Sequence, residues 1–318
     1  MRIGLVDVDG HNFPNLCLMK LSAWHKMQGN QVELLKPEDI ICGNNLFTNY
    51  EKLYGACVFS WNKWIADKLS DFGVEVGGIG SGSKKVLPDE IEHCYPDYSL
   101  YGIIDEAYGF LTRGCPRHCP FCVVGDKEGL VSRKVADLSE FWNGQKNVVL
   151  CDPNLLACKD RMELLQQLID SKAWVDVNQG FDARLLDDEV IFAMNKIRFK
   201  QLHFAWDNPQ DKKVPKCLES FAKKTKIKDT DKKVTVYVLT NYWSSIEQDL
   251  YRIYWLREHL FNPYVMVFNK DEAPVEILKL QRWCNNKRLF AVCKKFEDYQ
   301  PQKRGKQWKE EMREEDLW

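Results

Sequence analysis

From residue 104 to residue 270 the chain repeats one pattern. An apolar, β-branched or aromatic run ends in polar residues, and a helical stretch follows. The runs are Tyr108–Leu111, Val148–Cys151, Val175–Asn178, Leu202–Trp206, Val234–Asn241 and Tyr264–Phe268. Strands that alternate with helices are joined by crossovers, so they pair in parallel, with ligand sites outside their carboxyl ends. The polar ends are Asp152-Pro153-Asn154, Gln179-Gly180-Phe181-Asp182, Asp207-Asn208 and Asn241-Tyr242.

The first hundred residues repeat the pattern on a smaller scale. Residues 2–8, Gln31–Leu35, Ala56–Ser60 and Val74–Val76 read as strands. Helices are expected over Asn15–Gly29 and Trp61–Phe72, the first stopped by Gly29. The expected organisation is a small doubly wound, Rossmann-like parallel sheet over 1–102, a second βα series over 103–270, and a helical extension with a tail over 271–318. Glycines in Gly77-Gly78-Ile79-Gly80-Ser81-Gly82 read as a tight connection, since the spacing of a phosphate-binding turn is missing.

The first strand of the second series runs into Cys115-Pro-Arg-His-Cys119-Pro-Phe-Cys122. Pro116 and Pro120 remove backbone donors, while Gly114 and Gly125 permit tight turns, so this is a loop. Thiolates are soft ligands that suit iron–sulfur clusters, zinc or copper(I). Cubane clusters are commonly held by four cysteines; the next one here is Cys151. A cluster held by three leaves one iron open to a small molecule. His118 could instead complete a zinc site.

Cys-x3-Cys-x2-Cys with an aromatic residue, Phe121, before the last cysteine resembles the signature of the radical S-adenosylmethionine (SAM) superfamily. The resemblance implies that Cys115, Cys119 and Cys122 hold a [4Fe–4S] cluster, and that SAM chelates the open iron through its amine and carboxylate. It implies a partial (β/α)6 barrel, which six strands fit. It also assigns SAM contacts. Asp152 and Asn154 stand where the family meets the SAM ammonium, although both are good helix N-caps for Arg161–Ser171. Gln179 and Asp182 are partners for ribose or substrate. Arg184 can grip a carboxylate bidentately, or pair with Asp187 or Asp188. Asp207 and Asn241 close the fourth and fifth strands.

The N-terminal unit resembles a shortened cobalamin-binding domain, on Asp9-x-His11, Ser60 and Gly77-Gly78. Cobalamin is thereby an implied ligand. The unit departs from that pattern: Pro14 replaces a glycine, and the connection before the third strand, with Pro37, Gly43 and Asn44-Asn45, is short. These departures favour a scaffold.

The expected activity is reductive cleavage of SAM to a 5′-deoxyadenosyl radical that abstracts hydrogen from a substrate, including methyl or other group transfer to a nucleic acid, peptide or metabolite. A flavodoxin- or ferredoxin-type donor would supply the electron. The alternative is a non-catalytic iron–sulfur or zinc module serving redox sensing or structure. Twelve cysteines without a secretory signal point to a reducing, cytoplasmic setting, and no apolar run is long enough for a membrane span. Net charge is −1, so no overall pull toward nucleic acid is expected; Lys223–Lys233 is a local exception, read as a solvated loop. Cys151 and Cys158 flank the Asp152 segment as candidates for an auxiliary cluster or a hydrogen-atom donor.

Overall fold

The structure, a computed structural model, describes residues 1–10, 13–42, 49–228 and 230–301. His11, the 43–45 stretch and the expected tail helix over 303–318 lie outside the described residues. The chain divides into two compact units inside one strand, the first ending at Leu202 and the second starting at His203.

In the first unit, β1 (Arg2–Asp7), β2 (Gln31–Leu35), β3 (Lys52–Ala56) and β4 (Glu75–Gly77) form a parallel sheet in the order β2-β1-β3-β4. β1 shows why it is doubly wound. Ile3 and Leu5 pack with Leu18 and Leu21 of the helix Leu16–Met27, whereas Val6 packs with Ala66 and Leu69 of the helix Lys63–Asp71. Alternate side chains of one strand thus feed two cores, each fully buried apolar side chain contributing about 1.5–3 kcal/mol. The first helix starts where Asn15 Oδ1 accepts from the Leu18 amide, 3.2 Å, and stops before Gly29 in a left-handed conformation.

The third strand corrects the sequence expectation. It ends at Ala56, where Ala56–Ser60 was expected. Beyond Cys57 the chain leaves the sheet because Asp9 takes its amides: the carboxylate accepts from Val58 N at 2.6 Å and Phe59 N at 3.4 Å, and from Asn62 Nδ2 at 2.9 Å. Ser60 falls in a 3-10 turn, Ser60–Asn62, ahead of the helix.

The segment 96–102 ties this sheet to the next. Tyr101 OH donates to Asp7 Oδ2 at 2.7 Å, and Tyr98 OH donates to Phe141 O at 2.6 Å and accepts from Tyr108 N at 3.0 Å. β5 (Glu106–Gly109) follows, then a two-stranded antiparallel pair, β6 (Thr112–Arg113) with β7 (Arg133–Lys134). β8 (Asn147–Leu150), β9 (Trp174–Val177), β10 (Arg198–Ala205), β11 (Val234–Thr240) and β12 (Asn262–Val267) complete a six-stranded parallel sheet, ordered β12-β11-β10-β9-β8-β5. Each strand joins the side its predecessor left open. The order has no reversal and is compatible with a partial barrel. The α/β class with two parallel sheets is as expected.

In the second unit the helix Lys213–Lys224 buries Val214, Leu218 and Phe221, the last edge-on to Phe204 at 5.1 Å. The helix Ile246–Glu258 opens with a Ser245/Gln248 capping box. Trp283 and Leu280 of the helix Val275–Asn285 pack with Ile253 and Val265. Among the described residues no helix is long and apolar enough to cross a membrane.

Candidate functional site

The cysteine loop hangs between β6 and β7. Gly109, which ends β5, lies against the Phe141 ring, so a Cβ there would sit 2.4 Å from the ring. The carboxylate of Asp152, just past β8, receives the chain next: Leu111 N donates to Oδ2 at 3.1 Å, and Thr112 N and Oγ1 donate to Oδ1 at 2.5 and 2.6 Å. Asp152 is wholly buried, and burial pushes its carboxyl up to about 6 in spite of these donors.

The neck of the loop is closed by Glu128, at the end of the five-residue helix Val124–Glu128. Its Oε1 accepts from Arg113 Nη1 at 2.8 Å and its Oε2 from Gly114 N at 3.0 Å. Cys115 N donates to Gly129 O at 3.1 Å, and the Arg113 guanidinium lies over the Phe110 ring at 3.4 Å. Gly114 is obligatory, with φ at +86° and the Val131 carbonyl 2.3 Å from where a Cβ would be. Inside the loop, Cys122 N donates to Cys119 O at 2.9 Å, and His118 adopts φ +44°. Cys115 and Cys119 are half-buried and Cys122 is exposed; Phe121 is half-buried.

Asn154 reaches this loop from β8. Its Nδ2 donates to Cys115 Sγ at 3.4 Å, and its carbonyl accepts from Ser132 Oγ at 2.9 Å. The residue is buried, and its Oδ1 has no hydrogen-bond partner among the described residues. Neither Asp152 nor Asn154 caps the helix Arg161–Ser171, whose N-cap is Asp160. The capping role is therefore corrected.

Asp182 links the turn after β9 to the loop. Its Oδ1 accepts from Arg184 Nε at 2.6 Å, and its Oδ2 is 3.9 Å from Arg117 Nε of the cysteine loop. Arg184 thus pairs with Asp182, and Asp187 pairs with Arg161 at 2.8 Å. Gln179 is exposed in the turn. In the second unit Asp207 follows β10 and Asn241 follows β11. The Asp207 carbonyl accepts from Arg252 Nη1 at 2.7 Å, and Asn241 Nδ2 donates to Phe268 O at 2.8 Å.

Among the described residues no three His, Cys, Asp or Glu side chains are gathered to hold a metal ion. The three thiols share one loop without converging on one centre. Their donor chemistry nevertheless fits an iron–sulfur cluster: three soft ligands, an amide hydrogen bond already on one sulfur, and a buried acceptor beside it. Cys158 is buried, and Cys151 is pushed up to about 12 by burial and the neighbouring Asp152, which sets Cys151 as a neutral thiol.

In the described part of the N-terminal unit, the residues that resemble a cobalamin-binding pattern meet the protein's own chain. Asp9 is engaged by Val58, Phe59 and Asn62. A Cβ on Gly78 or Gly80 would meet the backbone of Cys57 at 2.3 Å or of Phe59 at 2.6 Å, so these glycines admit the protein's own chain. The tight connection expected of this stretch is what forms.

Glu128 and the β6–β7 pair were missed from sequence. The signal available was Arg113-Gly114 followed by Glu128-Gly129, two Gly-ended segments bracketing the cysteines. No family model matches the chain, and no curated protein matches it.

Proposed function

We propose that this chain is a radical SAM enzyme in which Cys115, Cys119 and Cys122 hold a [4Fe–4S] cluster and the six-stranded sheet is the family's partial barrel. When bound, the cluster and SAM supply reductive cleavage to a 5′-deoxyadenosyl radical that abstracts hydrogen from a substrate carbon. A flavodoxin- or ferredoxin-type donor delivers the electron.

The observation that carries the reading is Asn154. One amide group both donates to a loop thiol and keeps a buried oxygen unpartnered. A buried acceptor with no donor costs about 1–3 kcal/mol, which a ligand ammonium beside the thiols would recover. Asp152 does not meet SAM in this reading; it is a positioning residue that fixes where the loop leaves β5. Glu128 and Arg113 hold the neck, so the residues from Pro116 to Lys127 adjust to bring the thiols together. Arg184, held by Asp182, presents a guanidinium for a carboxylate.

The test is anaerobic reconstitution of the full chain with iron and sulfide, read as iron per chain and as a change in the reduced cluster's electron paramagnetic resonance spectrum on adding SAM. About four irons and a SAM-dependent spectrum, both lost in Cys119→Ala, support the proposal. A colourless protein that retains zinc refutes it in favour of a structural metal module.

A further inference from the structure

We infer that residues 212–233 form a docking surface for nucleic acid, gripped through its phosphates. The surface is independent of the chemistry at the cysteine loop. The segment carries nine lysines against three acidic residues, in a chain whose formal net charge is −1. Charge is therefore segregated, with an excess of acid elsewhere and a basic strip here.

The helix Lys213–Lys224 sets the geometry. Val214, Leu218 and Phe221 are buried on one side. Lys213, Lys216 and Lys223 fall at helical spacing on another side, a stripe about 15 Å long at 1.5 Å per residue. The first turn of the helix holds no acidic residue, and Asp211 just before it accepts from Lys213 N at 2.9 Å and Val214 N at 3.3 Å. The strip continues through Lys228 and Lys232 and ends on the short helix Thr230–Lys233, which packs against β11 and β12.

Lys223 pairs with Glu219 at 2.6 Å, whereas Lys212, Lys213, Lys216, Lys228 and Lys232 make no ion pair among the described residues. No large apolar side chain is exposed among the described residues of 212–233. An anionic bilayer would be held by apolar residues inserted between the lysines; a phosphate backbone needs only the lysines.

The test is fluorescence anisotropy on the full chain, with labelled single-stranded RNA and DNA 20-mers of one mixed sequence, from 50 to 300 mM KCl. A quadruple variant, Lys213→Gln, Lys216→Gln, Lys228→Gln and Lys232→Gln, is compared with a charge-matched variant at the scattered, exposed Lys84, Lys146, Lys270 and Lys287. Each phosphate contact on a single strand contributes about −0.7 to the slope of log affinity against log salt. The strip variant is expected to bind tenfold or more weakly at 100 mM and to lose about 3 from the slope, while the matched variant stays within about twofold. The RNA and DNA arms show which sugar is preferred. Equal losses in both variants, absence of binding by the wild type, or binding to phosphatidylserine vesicles without binding to either 20-mer would overturn the inference.

Discussion

Asn154 Nδ2 donates to Cys115 Sγ at 3.4 Å, joining the carboxyl end of β8 to the first thiol of the loop. The bond crosses 39 residues of sequence and passes through a buried side chain. It makes the thiol loop and the polar end of the neighbouring strand one structure, which is the relationship the proposed chemistry requires.

Asn154→Ala removes both the donor to the thiol and the buried oxygen. With iron content unchanged, the dissociation constant for SAM should rise about tenfold, equivalent to about 1.4 kcal/mol, the loss of one charge-assisted hydrogen bond. Anaerobic equilibrium dialysis measures it. An unchanged constant would mean that Asn154 serves the thiol alone.

Glu128→Gln keeps the shape of the neck and removes its charge. The Arg113 bridge and the Gly114 amide bond weaken, costing about 1–2 kcal/mol in urea denaturation. Hydrogen exchange should quicken first at the Gly114 and Cys115 amides. Uniformly quicker exchange across the first unit would instead make Glu128 a general stability residue.

Asp152 gives a pH signature. A free carboxyl titrates near 3.9, and burial raises the native one to about 6. The native state therefore binds the proton more tightly, and this contribution to stability is present below about pH 4 and lost as pH rises through 6. Its size is on the order of 2–3 kcal/mol. Asp152→Asn lacks it and also sets an NH2 group against a backbone donor. The variant should therefore cost more stability at pH 4 than at pH 7, and equal costs at both would disprove the shift.

Arg252 and Asp249 are both fully buried, 2.5 Å apart, and Arg252 also donates to the carbonyls of Trp206, Asp207 and Leu239. One guanidinium thus fixes the carboxyl ends of β10 and β11. Arg252→Met strands a buried carboxylate and three carbonyls, and should cost about 3–5 kcal/mol. Arg252→Met with Asp249→Leu should recover part of that loss in thermal denaturation, since the double variant leaves no lone buried charge.

Much of the fold was readable because buried strands announce themselves. Gln31–Leu35 was bounded correctly, and Val234–Asn241 overran β11 by one residue. Starts were harder. β10 begins at Arg198, four residues before the apolar run, because exposed Arg198 and Lys200 alternate with buried Phe199 and read as loop. The end of β3 was hidden for another reason: a carboxylate from a different segment, Asp9, decides where it stops. In the site, the loop and the strand ends were visible, but the partners were not. The pairing of Arg184 with Asp182, two residues away, was not foreseen, and β6 and β7 are too short to show any period. Spacing can nominate donors and acceptors, whereas pairing depends on distances that only the folded chain supplies.

The most direct test of the central claim is formation of 5′-deoxyadenosine by the reconstituted, dithionite-reduced full chain given SAM under anaerobic conditions. The account predicts 5′-deoxyadenosine and methionine in equal amounts from the wild type, and none from Cys115→Ala, Cys119→Ala or Cys122→Ala. A chain that binds four irons and leaves SAM intact under strong reduction would contradict it.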